Sequence, residues 1–232
     1  MTRHMTKGWM LVVGLGLVVA MAVPAFAQRG GGRGFGRNLG GVPKARIAGS
    51  EAVQAELKLN DEQKTQIAEI NDELGEDRRE LFSSGFGEFS EIWAELDRLN
   101  REASSKVDEL LEDAQRQRLR EIAIQVNGPA ALSDPAVVEQ LGLSDEQKTK
   151  LEQVREENSK AVEEAFSAPR EERRERFRDL AETANEKLLG VLTEAQRTKF
   201  DEMKGAPADI DPSEFRGGRR GRGGRRGGGG DN

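Results

Sequence analysis

The chain has 232 residues, with 36 basic and 42 acidic side chains and a formal net charge of −6. It has no cysteine, no tyrosine and a single histidine, His4. Beyond residue 4, composition therefore excludes disulfides, thiol nucleophiles and imidazole acid–base chemistry, and deprives tetrahedral zinc and most copper or nickel sites of their usual ligands.

The first element is an export signal. Arg3, His4 and Lys7 form a basic start, Trp9 to Val23 is an apolar run of 15 residues, and Ala25-Phe26-Ala27 is a small-x-small cleavage site. The run is short for a membrane span, and no second one follows. The expected product is a soluble periplasmic or secreted protein, cleaved near Ala27 and beginning at Gln28, with no membrane span after cleavage. Residues 28 to 47 carry five basic side chains and no acid, much of it as Gly and Arg. Such composition cannot build a core, so this stretch is expected to be a disordered linker.

Helical periodicity begins next. The first unit, set at 48 to 127, opens with a short helix near Glu51 to Leu57. A long helix over Asp61 to Phe82 follows, with Ile67, Ile70, Leu74 and Leu81 on one face. Ser83-Ser84-Gly85-Phe86-Gly87 breaks it. A second long helix starts near Glu88, with Phe89, Ile92, Trp93, Leu96, Leu99, Val107 and Leu110 as its stripe. A last helix spans Asp113 to Gln125, and Asn127-Gly128-Pro129 divides the units. The second unit, set at 130 to 205, repeats the order: Pro135 to Leu141, Asp145 to Phe166, Arg170 to Val191 and Glu194 to Lys204. Pro169 stands at a helix start, where proline is tolerated.

A phrase recurs four times across this pattern: Leu59-Asn60-Asp61-Glu62-Gln63, Leu111-Glu112-Asp113-Ala114-Gln115, Leu143-Ser144-Asp145-Glu146-Gln147 and Leu192-Thr193-Glu194-Ala195-Gln196. Its physical content is a helix start. Asn, Ser or Thr caps, the acids sit where the helix dipole favours them, and Gln reaches back to the N–H of the cap. Glu112 is a poor cap, so the second copy reads as a bend in a continuing helix. The first and third copies are offset by 84 residues and the second and fourth by 81. The chain is therefore a tandem duplication, and the first unit holds three extra residues, placed at its hairpin near Gly85-Phe86-Gly87.

Leu192 to Gln196 matches the Leu-Thr-x-x-Gln signature, and Leu143 to Gln147 matches it with Ser for Thr. Over about 48 to 205 the chain resembles the Spy/CpxP-like family of small exported bacterial proteins. The resemblance implies an all-α fold, a periplasmic setting and shielding of unfolded clients or sensing of envelope stress. It transfers to Leu59, Gln63, Leu111, Gln115, Leu143, Gln147, Leu192 and Gln196 as motif residues with an architectural role. Some relatives handle metals with histidine, which is absent beyond residue 4, so no metal or cofactor is expected; a metal-responsive role ranks third among the readings.

Residues 48 to 213 hold 23 basic and 40 acidic side chains, a net of −17, between two basic ends. The segment set at 206 to 232 reads as a disordered tail. Its Arg216, Arg219, Arg220, Arg222, Arg225 and Arg226 resemble the RGG segments of RNA-binding proteins. After an export signal, nucleic acid is a poor partner, and an anionic envelope polymer, lipid headgroups or the acidic helices fit better.

The expected fold is all-α: two tandem four-helix units of long hairpins with short flanking helices. Each unit is too small to bury much core alone. A pseudo-dimer within one chain and a string of separate beads both satisfy the sequence, as does a homodimer. The expected function is non-enzymatic, ATP-independent binding of unfolded or partner proteins; no phosphate-binding loop is present. Phe82, Phe86, Phe89 and Trp93 cluster at one hairpin, with Phe166 and Phe177 at the other. These either close the hairpins by packing inward or form an exposed apolar patch for a client. The alternative is an envelope polyanion-binding protein acting through its Arg/Gly tails.

Overall fold

Four helix starts organise the molecule. The computed structural model describes residues 41–83 and 89–216, with backbone alone at 89, 90, 213 and 216. The first unit comprises α1 (Lys44–Ala48), α2 (Glu51–Glu56), α3 (Asp61–Ser83), α4 (Phe89–Leu110) and α5 (Asp113–Asn127). The second comprises a 3₁₀ turn (Gly128–Ser133), α6 (Pro135–Leu141), α7 (Asp145–Ser167), α8 (Arg170–Gly190) and α9 (Glu194–Glu202), and α10 (Ser213–Arg216) ends the described chain. The all-α expectation holds. Among the described residues, no helix is long and apolar enough to cross a membrane. The expected export signal, residues 1 to 27, lies outside the described residues.

Within each unit the long helices pair as a hairpin: α3 on α4, and α7 on α8. The interval between them is 84–88 in the first unit and 168–169 in the second, which accounts for the three-residue difference in offset. One core gathers Ile47, Val53, Ile67, Val107, Leu119 and Ile122, all fully enclosed. A second gathers Leu132, Val137, Leu141, Leu151, Leu188 and Phe200. Each enclosed Ile or Leu contributes roughly 1.5–3 kcal/mol. An ion pair bridges each hairpin at equivalent positions: Lys106 with Glu73 (2.9 Å) and Lys187 with Glu157 (2.6 Å). Both are solvent-exposed and add little.

The units pack against each other rather than standing as beads. Ile124 of α5 belongs to the second core. Trp93, near the start of α4, packs on Val162, Ala165 and Phe177 at the tip of the second hairpin. Arg155, midway along α7, lies close to Asp97 and Arg101 of α4. The α4 and α7 helices therefore run antiparallel, and both hairpin tips lie at one end.

Two expected boundaries are corrected. Residues 42 to 47 are not linker: Val42, Ala45 and Ile47 are buried in the first core. The α1 helix is the counterpart of the 3₁₀ turn, since 84 residues separate Lys44 from Gly128. The matching order of elements thus begins upstream of 48, and the divider at 127 to 129 falls within it. Equivalent side chains fasten these short elements: Asn71 donates to Ala45 O (2.8 Å) and Arg155 to Leu132 O (2.7 Å).

Residues 206 to 216 are not free tail either. They return from the second unit to the first, where Phe215 is buried and Ala208 and Ile210 pack beside it. Gln125 donates to Ala206 O (2.9 Å) and accepts from Ala208 N–H (3.0 Å). Arg118 also donates to Ala206 O (2.8 Å), and the Ser50 hydroxyl donates to Glu214 (3.2 Å). Pairing and apolar burial hold a stretch that composition alone marks as loop.

Candidate functional site

The four motif glutamines form two pairs. In the first unit, Gln63 Nε2 donates to Gln115 Oε1 (2.8 Å) and to Leu110 O (3.0 Å). Gln115 Nε2 donates to Leu57 O (3.2 Å) and, more weakly, to Gln63 Oε1 (3.4 Å). In the second unit, Gln147 Nε2 donates to Gln196 Oε1 (2.7 Å) and Val191 O (2.8 Å), and Gln196 Nε2 returns to Gln147 Oε1 (3.0 Å).

Each Gln oxygen also accepts the N–H of its own cap residue. The cap donors are Asn60 (3.1 Å), Glu112 (3.0 Å), Ser144 (3.1 Å) and Thr193 (3.0 Å). A side-chain amide has two donors and an acceptor with two lone pairs, and here it spends them on a local cap and a distant partner. The four motif leucines, Leu59, Leu111, Leu143 and Leu192, are buried beneath. The arrangement ties the start of α3 to that of α5, and α7 to α9. The amides of all four glutamines are engaged in these contacts.

One expectation fails within the motif. The chain does not bend through Glu112: α4 stops at Leu110 and α5 starts anew at Asp113, with a capping box between Glu112 and Gln115. The glutamine supplies half of the box, so a weak cap suffices.

The aromatic residues divide by depth. Phe177 is buried at the second tip, with Phe166 edge-on to it at 4.9 Å between ring centres. Trp93 is half-buried against the same cluster, so it serves packing between the units. Phe82 and Phe166 are the large apolar side chains left exposed among the described residues, at 47% and 40%. They are equivalent by the 84-residue offset. Phe86 lies outside the described residues, and Phe89 is placed by its backbone at the start of α4. Arg216 ends α10, while Arg219, Arg220, Arg222, Arg225 and Arg226 lie outside the described residues.

A polar junction between the units had no signal in the sequence. Lys44 of α1 reaches Asp108 of α4 (2.5 Å) and Asp134, the cap of α6 (3.2 Å). Asp134 also accepts from Ala136 N–H (2.9 Å). In a chain one-third charged, nothing marks these three as partners. Burial pushes the nearby Arg155 guanidinium below its ordinary value, with Asp97 opposing that effect and Arg101 adding to it. Among the described residues, no group of three or more acidic side chains is placed to hold a metal ion.

Neither protein-family models, curated proteins nor solved structures give a match to this chain.

Proposed function

We propose that this chain is a non-enzymatic, exported protein-binding module that holds apolar segments of other proteins at its hairpin tips without nucleotide. One observation carries the reading: Phe82 and Phe166, equivalent residues of the two repeats, are both exposed at the same end of the molecule. Single exposed apolar residues are ordinary on any protein. A partly exposed phenylalanine at the same place in both repeats is a repeated feature of the tips.

The rest of the molecule supports the reading. The tips sit on long amphipathic helices braced at the opposite end by the glutamine pairs. The acidic helical surface keeps such a protein soluble while it holds an aggregation-prone partner. The export signal and the resemblance of the Leu-x-x-x-Gln motifs to Spy/CpxP-like proteins favour the bacterial envelope as the setting. The polyanion reading of the Arg/Gly tail stands on its sequence alone.

The test is aggregation of several unfolded clients, followed by light scattering at stoichiometric amounts and without nucleotide. The expected result is suppression, lost in the double variant Phe82→Ser/Phe166→Ser while helical circular dichroism is unchanged. Failure of the parent protein to suppress, or undiminished suppression by the double variant, would overturn the reading.

A further inference from the structure

Two arginine-bearing segments stand at opposite ends of the sequence. Residues 28–40 hold Arg29, Arg33 and Arg37 and no acidic side chain. Residues 217–232 hold Arg219, Arg220, Arg222, Arg225 and Arg226, with Asp231 alone against them. Both arms lie outside the described residues, but the points where they join the fold do not.

The fold fastens both joining points to one corner of the first unit. Val42 is buried in the first core, where Asn127 Oδ1 accepts its N–H (2.6 Å) and Asn127 Nδ2 donates to its carbonyl (3.0 Å). Phe215 is buried in the same core, and the Ser50 hydroxyl donates to Glu214 (3.2 Å). Only α1 and two short flanks separate Val42 from Ser50, so these two lie within about 20 Å of each other. The returning segment 206–216 therefore tethers the second arm beside the first. Between the two tethers, α1 carries no acidic residue and presents Arg46 exposed. The carboxylates of Asp108 and Asp134 next to α1 are engaged by Lys44.

Charge and side-chain type select the partner. Residues 48 to 213 carry a net charge of −17, so an anionic surface is repelled by the helical body and attracted at this corner. Arginine is the basic residue throughout both arms, and its planar fork takes two phosphate oxygens at once. Phe35 and Leu39 stand among the arginines of the first arm. Such apolar side chains suit the boundary beneath lipid headgroups and gain nothing from a soluble polyanion. We propose that the two arms and Arg46 form one docking surface for a membrane of anionic phospholipid. Docking turns the α1 corner toward the lipid. The surface uses neither Phe82 nor Phe166, so it stands or falls apart from protein binding at the tips.

Co-sedimentation with vesicles tests this on the chain from Gln28, the expected mature form. The vesicles are phosphatidylcholine with and without phosphatidylglycerol. Binding is expected only with phosphatidylglycerol, and it should weaken with salt. Each arginine near an anionic surface raises binding about fivefold, so removal of 28–40 or of 217–232 should each cost about tenfold or more. Arg46→Glu should also cost about tenfold. The same reversal at the exposed Arg174 of α8 should leave binding within about twofold, since α7 stands between α8 and the α4 helix on which α1 packs. Helical circular dichroism of the variants should match the parent. Absence of binding, equal binding to neutral vesicles, or full retention after removal of either arm would each overturn the proposal. So would equal effects of Arg46→Glu and Arg174→Glu, or preference for a soluble RNA over the anionic vesicles.

Discussion

Gln63 and Gln115 face one another across the base of the first hairpin, with Gln63 Nε2 donating to Gln115 Oε1 at 2.8 Å. Gln147 and Gln196 repeat the contact at 2.7 Å. A motif that reads as a helix start thus joins two helices that lie about 50 residues apart in the chain.

The first prediction concerns this pairing. Gln63 is buried, so Gln63→Leu strands the Leu110 carbonyl and the Asn60 N–H, while the Gln115 oxygen keeps only the Glu112 N–H. Its expected cost is about 1–3 kcal/mol. Gln63→Leu/Gln115→Leu should cost less than the sum of the two single changes, because each alone already breaks the shared bond. Urea denaturation measures all three; strict additivity would remove the pair as a unit.

The second concerns Lys58. It takes φ 52° at the end of α2, where the equivalent residue of the second repeat is Gly142 with φ 67°. A side chain in this left-handed region costs about 1–2 kcal/mol. Lys58→Gly should therefore stabilise the protein by up to about 1 kcal/mol, part of the gain being lost to unfolded-state entropy. Gly142→Ala should destabilise it by a similar amount. The urea midpoint should move in opposite directions in the two variants; movement in the same direction would contradict the account.

A third contrasts two lysines. Lys44→Met leaves Asp108 and Asp134 without their common cation at a junction where the lysine side chain is only 11% exposed. A loss of about 2–3 kcal/mol is expected, below the roughly 3–5 kcal/mol of a fully buried pair. Lys106→Met removes an ion pair whose lysine is 47% exposed, and should cost less than about 1 kcal/mol. Thermal unfolding in low and high salt separates them, since only the Lys106 effect should fade with salt.

The fourth concerns the returning segment. Truncation after Gly205 removes Phe215, which is 3% exposed in the first core, together with the bonds of Gln125 and Arg118 to Ala206. Relative to truncation after Arg216, stability should fall by about 3 kcal/mol or more. Equal stability of the two truncations would show that 206–216 does not hold the first unit.

The long helices were legible in the sequence because their signals are local. The expected start of α3, α5, α7 and α9 at Asp61, Asp113, Asp145 and Glu194 matches the structure. Capping residues act within one turn, and apolar spacing of three and four residues marks the buried face of α3 through Ile67 and Leu74. The hidden elements were short. The α1 helix has five residues and α10 four, lengths at which helix propensity decides nothing.

The candidate sites followed the same division. Phe82 and Phe166 were visible as aromatic residues at hairpin tips, but aromatic character fits a buried ring as well as an exposed one. Only the packing separated Phe177 and Trp93, drawn against Val162 and Ala165, from Phe82 and Phe166, which keep 47% and 40% of their surface exposed.

By itself, the sequence determined the recurrence of the Leu-x-x-x-Gln phrase, the order of the long helices and the positions of the four glutamines, because phrase, capping and periodicity are properties of neighbouring residues. Tertiary structure decided which glutamines pair, that residues 42 to 47 and 206 to 216 belong to the first core, and that Lys44 joins Asp108 to Asp134. Those outcomes depend on contacts between residues up to 164 positions apart, as Ser50 with Glu214, where burial and electrostatics act only once the chain has brought the partners together.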